Sequence, residues 1–167
     1  TAELVAELAG TGVQLADTRK TTPGLRVVEK YAVRCGGGCN HRMGLDDAAM
    51  LKENHIAWAG GITAAIQAVR QRAPWPARVI VEAETAAQAI EAVQAGADGV
   101  LLDEFGPDQL RDLVPRLRQL SSAGVVLEAS GVQSEALKAY AATGIDLIST
   151  SAPVTRSRWL DFSMRFS

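Results

Sequence analysis

From Arg78 onward, short apolar runs recur, each ending on a polar residue and each followed by a helical stretch closed by glycine. The runs are Val79-Ile80-Val81-Glu82, Gly99-Val100-Leu101-Leu102-Asp103, Val125-Val126-Leu127-Glu128 and Leu147-Ile148-Ser149-Thr150, with starts 20 to 26 residues apart. That spacing is one strand, one loop and one helix, and unbroken apolar runs are what strands covered on both faces require. Thr85 is placed to cap a helix ending before Gly96, Pro107 suits a first turn, and Ser134 is placed to cap a helix ending before Gly144. Two of the returns share a phrase, Gly96-Ala97-Asp98 and Gly144-Ile145-Asp146. Upstream, Val13 to Asp17 and Ala48 to Lys52 read as strands, Leu25 to Val33 as a helix, and Ile62 to Arg72 as a helix after Gly60-Gly61.

Alternating βα units in one α/β domain leave a parallel barrel or an open doubly wound sheet. The barrel, incomplete in this chain, is favoured because Asp17, Lys52, Glu82, Asp103, Ser130 and Ser151 all fall at or just beyond strand C-termini. In a βα barrel those ends converge on the face where active sites are built. Gly36-Gly37-Gly38 lacks the spaced glycines of a dinucleotide-binding turn and follows a helix instead of a strand.

The 167 residues, 47% hydrophobic and 22% charged, fit one domain with its own core. No apolar run approaches the roughly 20 residues a membrane span needs, and Thr1-Ala2-Glu3-Leu4-Val5 lacks a signal-peptide pattern, so a soluble, cytoplasmic protein is expected. Cys35 and Cys39 read as reduced thiols, since a closed metal site wants more ligands. The net charge of −2 conceals an asymmetry. Asp17 to His55 holds seven Lys/Arg against five Asp/Glu, with both histidines, and the remainder holds ten against fourteen. This points to a local anion site. It does not point to nucleic acid, because no basic tract interleaves with aromatics.

Arg19, Lys20, His41, Arg42 and Lys52 gathered around one cavity would demand anions, and arginine's planar fork matches a carboxylate. Taken singly, each reads equally well as a solvated surface charge. Glu82 and Asp103, one unit apart, could bind a metal, accept from sugar hydroxyls or pair with a cation, and Asp103 could also be a helix cap. The small-residue turns after the last two strands, Ser130-Gly131 and Ser149-Thr150-Ser151-Ala152, can close backbone N–H groups around a phosphate or serve simply as tight turns.

Asp17-Thr18-Arg19-Lys20-Thr21 with Pro23-Gly24, Asn40-His41-Arg42, and Leu51-Lys52-Glu53-Asn54-His55 together resemble the quinolinate phosphoribosyltransferase family. Glu82, Leu101-Leu102-Asp103, Glu128-Ala129-Ser130-Gly131, Thr155-Arg156-Ser157 and Leu160-Asp161 also fit, so the resemblance spans the chain. It implies a pentosyltransferase that converts quinolinate and phosphoribosyl pyrophosphate to nicotinate mononucleotide, pyrophosphate and carbon dioxide with Mg2+. Under it, Thr18, Arg19, Lys20, His41, Arg42 and Lys52 hold the quinolinate carboxylates and the pyrophosphate. Glu82 and Asp103 hold the ribose hydroxyls and, directly or indirectly, magnesium. Ser130, Gly131, Val132, Thr150, Ser151 and Ala152 hold the 5′-phosphate. Lys52, Glu82 and Asp103 are the residues expected to act closest to the chemistry.

The chain departs from the family pattern at Glu104, where asparagine is usual, at Val132, where a second glycine is usual, and at Ser151 to Thr155. The resemblance also implies an N-terminal α/β domain ahead of residues 1–167, and a homodimer in which that domain lends an arginine to the other subunit's site. A segment without it is expected to turn over poorly. Three rivals remain: a related phosphoribosyltransferase of metal-utilisation operons, a Schiff-base aldolase using Lys52, and a non-catalytic anion-binding or dimerisation module.

Overall fold

The computed structural model describes residues 1–121 and 124–166. In chain order the elements are α1 (Ala2–Glu7), β1 (Gln14–Ala16), α2 (Arg26–Cys35), β2 (Ala48–Leu51), α3 (Glu53–Ala59), α4 (Ile62–Arg70), β3 (Arg78–Ala83), α5 (Ala86–Gln94), β4 (Gly99–Asp103), α6 (Pro107–Leu120), β5 (Val126–Ser130), a 3-10 turn (Ser134–Ala136), α7 (Leu137–Ala141), β6 (Leu147–Ser149) and α8 (Ala152–Thr155). All six strands are parallel, in the order β1-β6-β5-β4-β3-β2. Strands β2 to β6 lie in chain order and β1 joins beside β6, the circular order of a barrel without the reversal of a doubly wound sheet. The ring stays open, with β1 and β2 as its two edges.

The opening is bridged by the segment that carries the second motif. Cys39 pairs with Ala16, its N–H donating to Leu15 O at 2.8 Å while Asp17 N–H donates to Cys39 O at 3.1 Å. Gly38 passes so close that a Cβ there would meet Val33 Cγ1 at 2.8 Å and Leu15 O at 3.2 Å.

Strand register divides the side chains by parity. Leu15, Ile148, Ala129, Leu102 and Ala83 share one register row; they lie on the helix-covered face and are buried. The other parity points inside the ring. It aligns Glu82, Leu101, Glu128 and Leu147 in one row, and above it Asp103 with Ser130 and Ser149 with Ala16.

The repeated phrase has a structural basis. The Asp98 carboxylate accepts from Val79 N–H of the neighbouring strand and from Arg70, each at 2.7 Å. Asp146 does the same with Leu127 N–H and Arg118, again at 2.7 Å. Each aspartate thus ties a strand entrance to the arginine of a preceding helix. Thr85 caps α5 as expected, reciprocally with Gln88, and Pro107 opens α6. Ser134 does not cap a helix: Gln133 holds the cap position, its carbonyl accepting from Ala136 N–H, and Ser134 is the first residue inside the 3-10 turn. The seven-residue α3 inside the third motif was not anticipated. Lys52 N–H donates to His55 Nδ1 at 3.1 Å, so His55 is spent on starting the helix, and Gly60 closes it at φ 85°.

Candidate active site

A cavity of about 510 Å³ opens at the C-terminal ends of the strands. Every residue expected at the site lines it: Thr18, Arg19, Lys20, His41, Arg42, Lys52, Glu82, Asp103, Ser130, Gly131, Val132, Thr150, Ser151 and Ala152. Met50, Leu101, Glu104, Glu128, Gln133, Ser134, Ser149, Thr155 and Arg156 complete the wall. Of the six strand-end positions, five reach the cavity; Asp17 does not.

Asp17 is scaffold. At 2% exposure it accepts from Asn40 Nδ2 at 2.6 Å and from His41 N–H at 2.8 Å, and it pairs with Lys30 Nζ. Lys30, 1% exposed, donates its second bond to His41 O at 2.9 Å. A buried carboxylate needs such partners, since desolvating an unpaired charge costs several kcal/mol. The pair fixes the 40–42 segment from below.

Helix α2 presents its polar face inward to do this. Arg26 donates to Thr21 Oγ1 at 3.1 Å, Arg19 O at 3.2 Å and Met43 O at 3.1 Å, tying the first motif to the second. Glu29 accepts from Thr22 N–H at 2.9 Å. Val27, Val28 and Tyr31 face outward and are exposed. Arg26, Lys30 and Glu29 escape a motif search because an ordinary amphipathic helix would place them in solvent.

Arg42 is anchored to the β2 edge by Nη1 to Ala48 O at 2.9 Å and Nη2 to Met50 Sδ at 3.3 Å. Its Nε and that of Arg19 are buried and have no partner among the described residues. Burial, and then the Arg19 guanidinium, push Arg42 below its ordinary value, with Asp47 and Glu128 opposing. Two neighbouring guanidiniums with unpartnered Nε donors make an arrangement that an anion would complement.

His41 lines the cavity, yet both ring nitrogens are engaged. Nδ1 accepts from Arg42 N–H at 2.7 Å, and Nε2 lies 3.1 Å from Glu128 Oε2. In this arrangement the ring couples the Arg42 backbone to Glu128. Its place is to hold Arg42 and Glu128. Glu128, 3% exposed, is the wall residue that motif reading undervalued: it ends its apolar run as Glu82 ends its own.

At the ends of the neighbouring strands, Lys52 Nζ meets Glu82 Oε2 at 2.5 Å, and the Ser130 hydroxyl donates to Asp103 Oδ1. No group of three His, Cys, Asp or Glu side chains that could hold a metal occurs among the described residues. Gly131 turns at φ 73°, and Glu104 packs against it at φ 58°, a left-handed backbone uncommon for glutamate. Thr150 Oγ1 accepts from Ala152 N–H at 3.2 Å, and Arg156 donates to Gln133 Oε1 at 3.2 Å, linking the last two loops.

The chain matches the family model for quinolinate phosphoribosyl transferase, C-terminal domain, over residues 1–165. It is 48% identical over 166 residues to a Synechocystis sp. protein named "Probable nicotinate-nucleotide pyrophosphorylase (carboxylating)", covering 99% of this chain and 56% of that protein. A Bacillus subtilis protein of the same name is 44% identical over 165 residues, covering 98% and 56%. The crystal structure of NadC from Streptococcus pyogenes superposes with a TM-score of 0.90 at 40% identity, covering 99% of this chain and 57% of that one. The chain thus spans about half the length of the curated relatives it matches. Sequence and fold agree: this chain belongs to the quinolinate phosphoribosyl transferase C-terminal domain family.

Proposed function

We propose that residues 1–167 form the catalytic barrel domain of a cytoplasmic quinolinate phosphoribosyltransferase. The reaction joins quinolinate to phosphoribosyl pyrophosphate with loss of carbon dioxide and pyrophosphate, giving nicotinate mononucleotide for NAD biosynthesis. The observation that carries this reading is a single cavity lined by two guanidiniums with buried, unpartnered Nε donors and by carboxylates on β3, β4 and β5. Its two substrates bring matching groups: carboxylates and phosphates for the cations, sugar hydroxyls for the carboxylates.

Arg19 and Arg42 hold the quinolinate carboxylates, with Thr18 and Lys20 at the rim, and His41 acts by fixing Arg42. Anion binding stabilises both crowded guanidiniums, each charged hydrogen bond contributing about 1.5–3 kcal/mol. Lys52 neutralises the departing pyrophosphate. As the pyridine nitrogen attacks the anomeric carbon, Glu82 and Asp103 stabilise the cationic sugar, so the catalysis is fixed electrostatics and needs no side-chain nucleophile. The turns Ser130-Gly131-Val132 and Thr150-Ser151-Ala152 seat the 5′-phosphate. Glu82 and Asp103 would also hold magnesium, which characteristically takes one or two carboxylates and completes its shell with water and substrate phosphates; two carboxylates at the ends of neighbouring strands fit that habit. Bound there, the ion would draw charge from the leaving pyrophosphate.

A Schiff-base role for Lys52 is disfavoured by its ion pair with Glu82, the arrangement of an ammonium and not of a free amine. A homodimer completed by an N-terminal domain of the other subunit belongs to the same proposal, and the exposed apolar face of α2 at Val27, Val28 and Tyr31 supports a covering partner. Calorimetry with phosphoribosyl pyrophosphate tests the reading. Binding should require Mg2+ and fall at least ~10-fold in Asp103→Asn. Magnesium-independent binding that Asp103→Asn leaves intact would favour a simple anion-binding module.

A further inference from the structure

Glu128 is the one carboxylate on the cavity wall that combines burial with an unfilled acceptor. Its side chain is 4% exposed, Oε2 is taken by His41, and Oε1 is buried with no partner among the described residues. Arg42 N–H donates to His41 Nδ1, so the ring proton sits on Nε2 and is donated to Oε2. The backbone thereby dictates the tautomer, and the tautomer dictates which glutamate oxygen is spent. Oε1 is left as a buried acceptor that needs a donor, on a residue that lines the cavity, and a buried unmet acceptor costs about 1–3 kcal/mol.

Register places Glu128 in the same interior row as Glu82, with Leu101 between them. Glu82 already faces Lys52, and Asp103 already accepts from Ser130. Quinolinate offers carboxylates and a ring nitrogen, all acceptors, and phosphates offer the same. On the functional reading above, on which this step rests, the ligand atoms able to donate to Oε1 are the sugar hydroxyls.

We propose that Glu128 is a ribose-recognition residue: Oε1 accepts from a hydroxyl of the phosphoribosyl group, and His41 is the positioning residue that presents it. Glutamate and no neutral isostere fits, because His41 Nε2–H fixes the polarity of whatever occupies the position. In Glu128→Gln the amide oxygen must take the His41 proton, which turns the NH2 into the cavity and replaces an acceptor with a donor.

The experiment is calorimetry on the whole chain with Mg2+ and phosphoribosyl pyrophosphate, and separately with quinolinate, for wild type and Glu128→Gln. The expected result is a loss of about 10-fold or more in affinity for phosphoribosyl pyrophosphate with quinolinate affinity held or improved. A purely structural role would weaken both ligands together, and that outcome overturns the proposal. Equal binding of both ligands by the two proteins also overturns it while leaving the functional reading standing. Wild type that binds neither ligand overturns both. If Glu128→Gln does not fold, crystals of the unaltered chain with ribose 5-phosphate decide. A sugar oxygen within about 3.2 Å of Oε1 supports the assignment, and Oε1 bonded to water alone refutes it.

Discussion

Replacing Lys30 by methionine keeps most of the side chain's bulk and removes the charge that Asp17 was folded around. At 1% and 2% exposure the two residues lie out of reach of bulk water. Without Lys30, the Asp17 carboxylate keeps Asn40 Nδ2 at 2.6 Å and His41 N–H at 2.8 Å but no countercharge among the described residues, and His41 O loses its 2.9 Å donor. Breaking a buried pair from one side costs about 3–5 kcal/mol. For a domain of this size each kcal/mol moves Tm by roughly 2–4 °C, so Lys30→Met should melt ~6–20 °C below wild type. Asp17→Asn combined with Lys30→Met removes both charges and should recover part of the loss, with a coupling of about 2 kcal/mol or more in the double-mutant cycle. Urea denaturation of the four proteins supplies the numbers. A single-variant loss under ~1 kcal/mol, or additive effects, would refute the view that this pair holds the Asn40-His41-Arg42 segment in place.

Three further outcomes are expected. Glu104→Asn should raise Tm by about 1–4 °C, since asparagine tolerates the left-handed backbone at φ 58° better than glutamate; a lower Tm would show that the Glu104 side chain contributes more than its backbone costs. Gly38→Ala should destabilise by about 1–3 kcal/mol, because its Cβ has to displace Val33 and the Leu15 carbonyl that β1 uses at its open edge; unchanged stability in denaturant would sink that reasoning. Burial, and then the Asp17 carboxylate, push the Cys39 thiol up, so at pH 8 less of it is thiolate than of an ordinary thiol. Iodoacetamide mapping by mass spectrometry should find exposed Cys35 modified first, with the lag of Cys39 shrinking as pH rises; equal rates at pH 8 would contradict this.

The strands were legible because buried parallel strands must be apolar on both faces, and that leaves unbroken runs in the sequence. The strand ends were legible too, since a polar residue terminating such a run has few places to go except the barrel mouth. What the sequence could not convey is how charges choose one another. Lys30 sits within an unremarkable helical pattern, and only the packing of α2 over the first two motifs makes its face the inner one. Asp17 looked like a site residue because it ends a strand, but it pairs downward with Lys30 and leaves the cavity to its neighbours. The contacts of the two His41 nitrogens with Arg42 N–H and Glu128 were equally unreadable, the second joining residues 87 positions apart. Ser134 carried a capping identity, yet the turn starts one residue earlier, with Gln133 in the cap position and Ser134 inside it.

The central claim is that Arg19 and Arg42, crowded together with buried donors to spare, are there to receive a dicarboxylate. Calorimetric titration of quinolinate into wild type and Arg42→Ala, with a melting curve for each, tests it most directly. Saturable heat in wild type and affinity weakened at least ~10-fold in a folded Arg42→Ala is the predicted result. Quinolinate giving no heat with wild type, or binding both proteins equally, would contradict it.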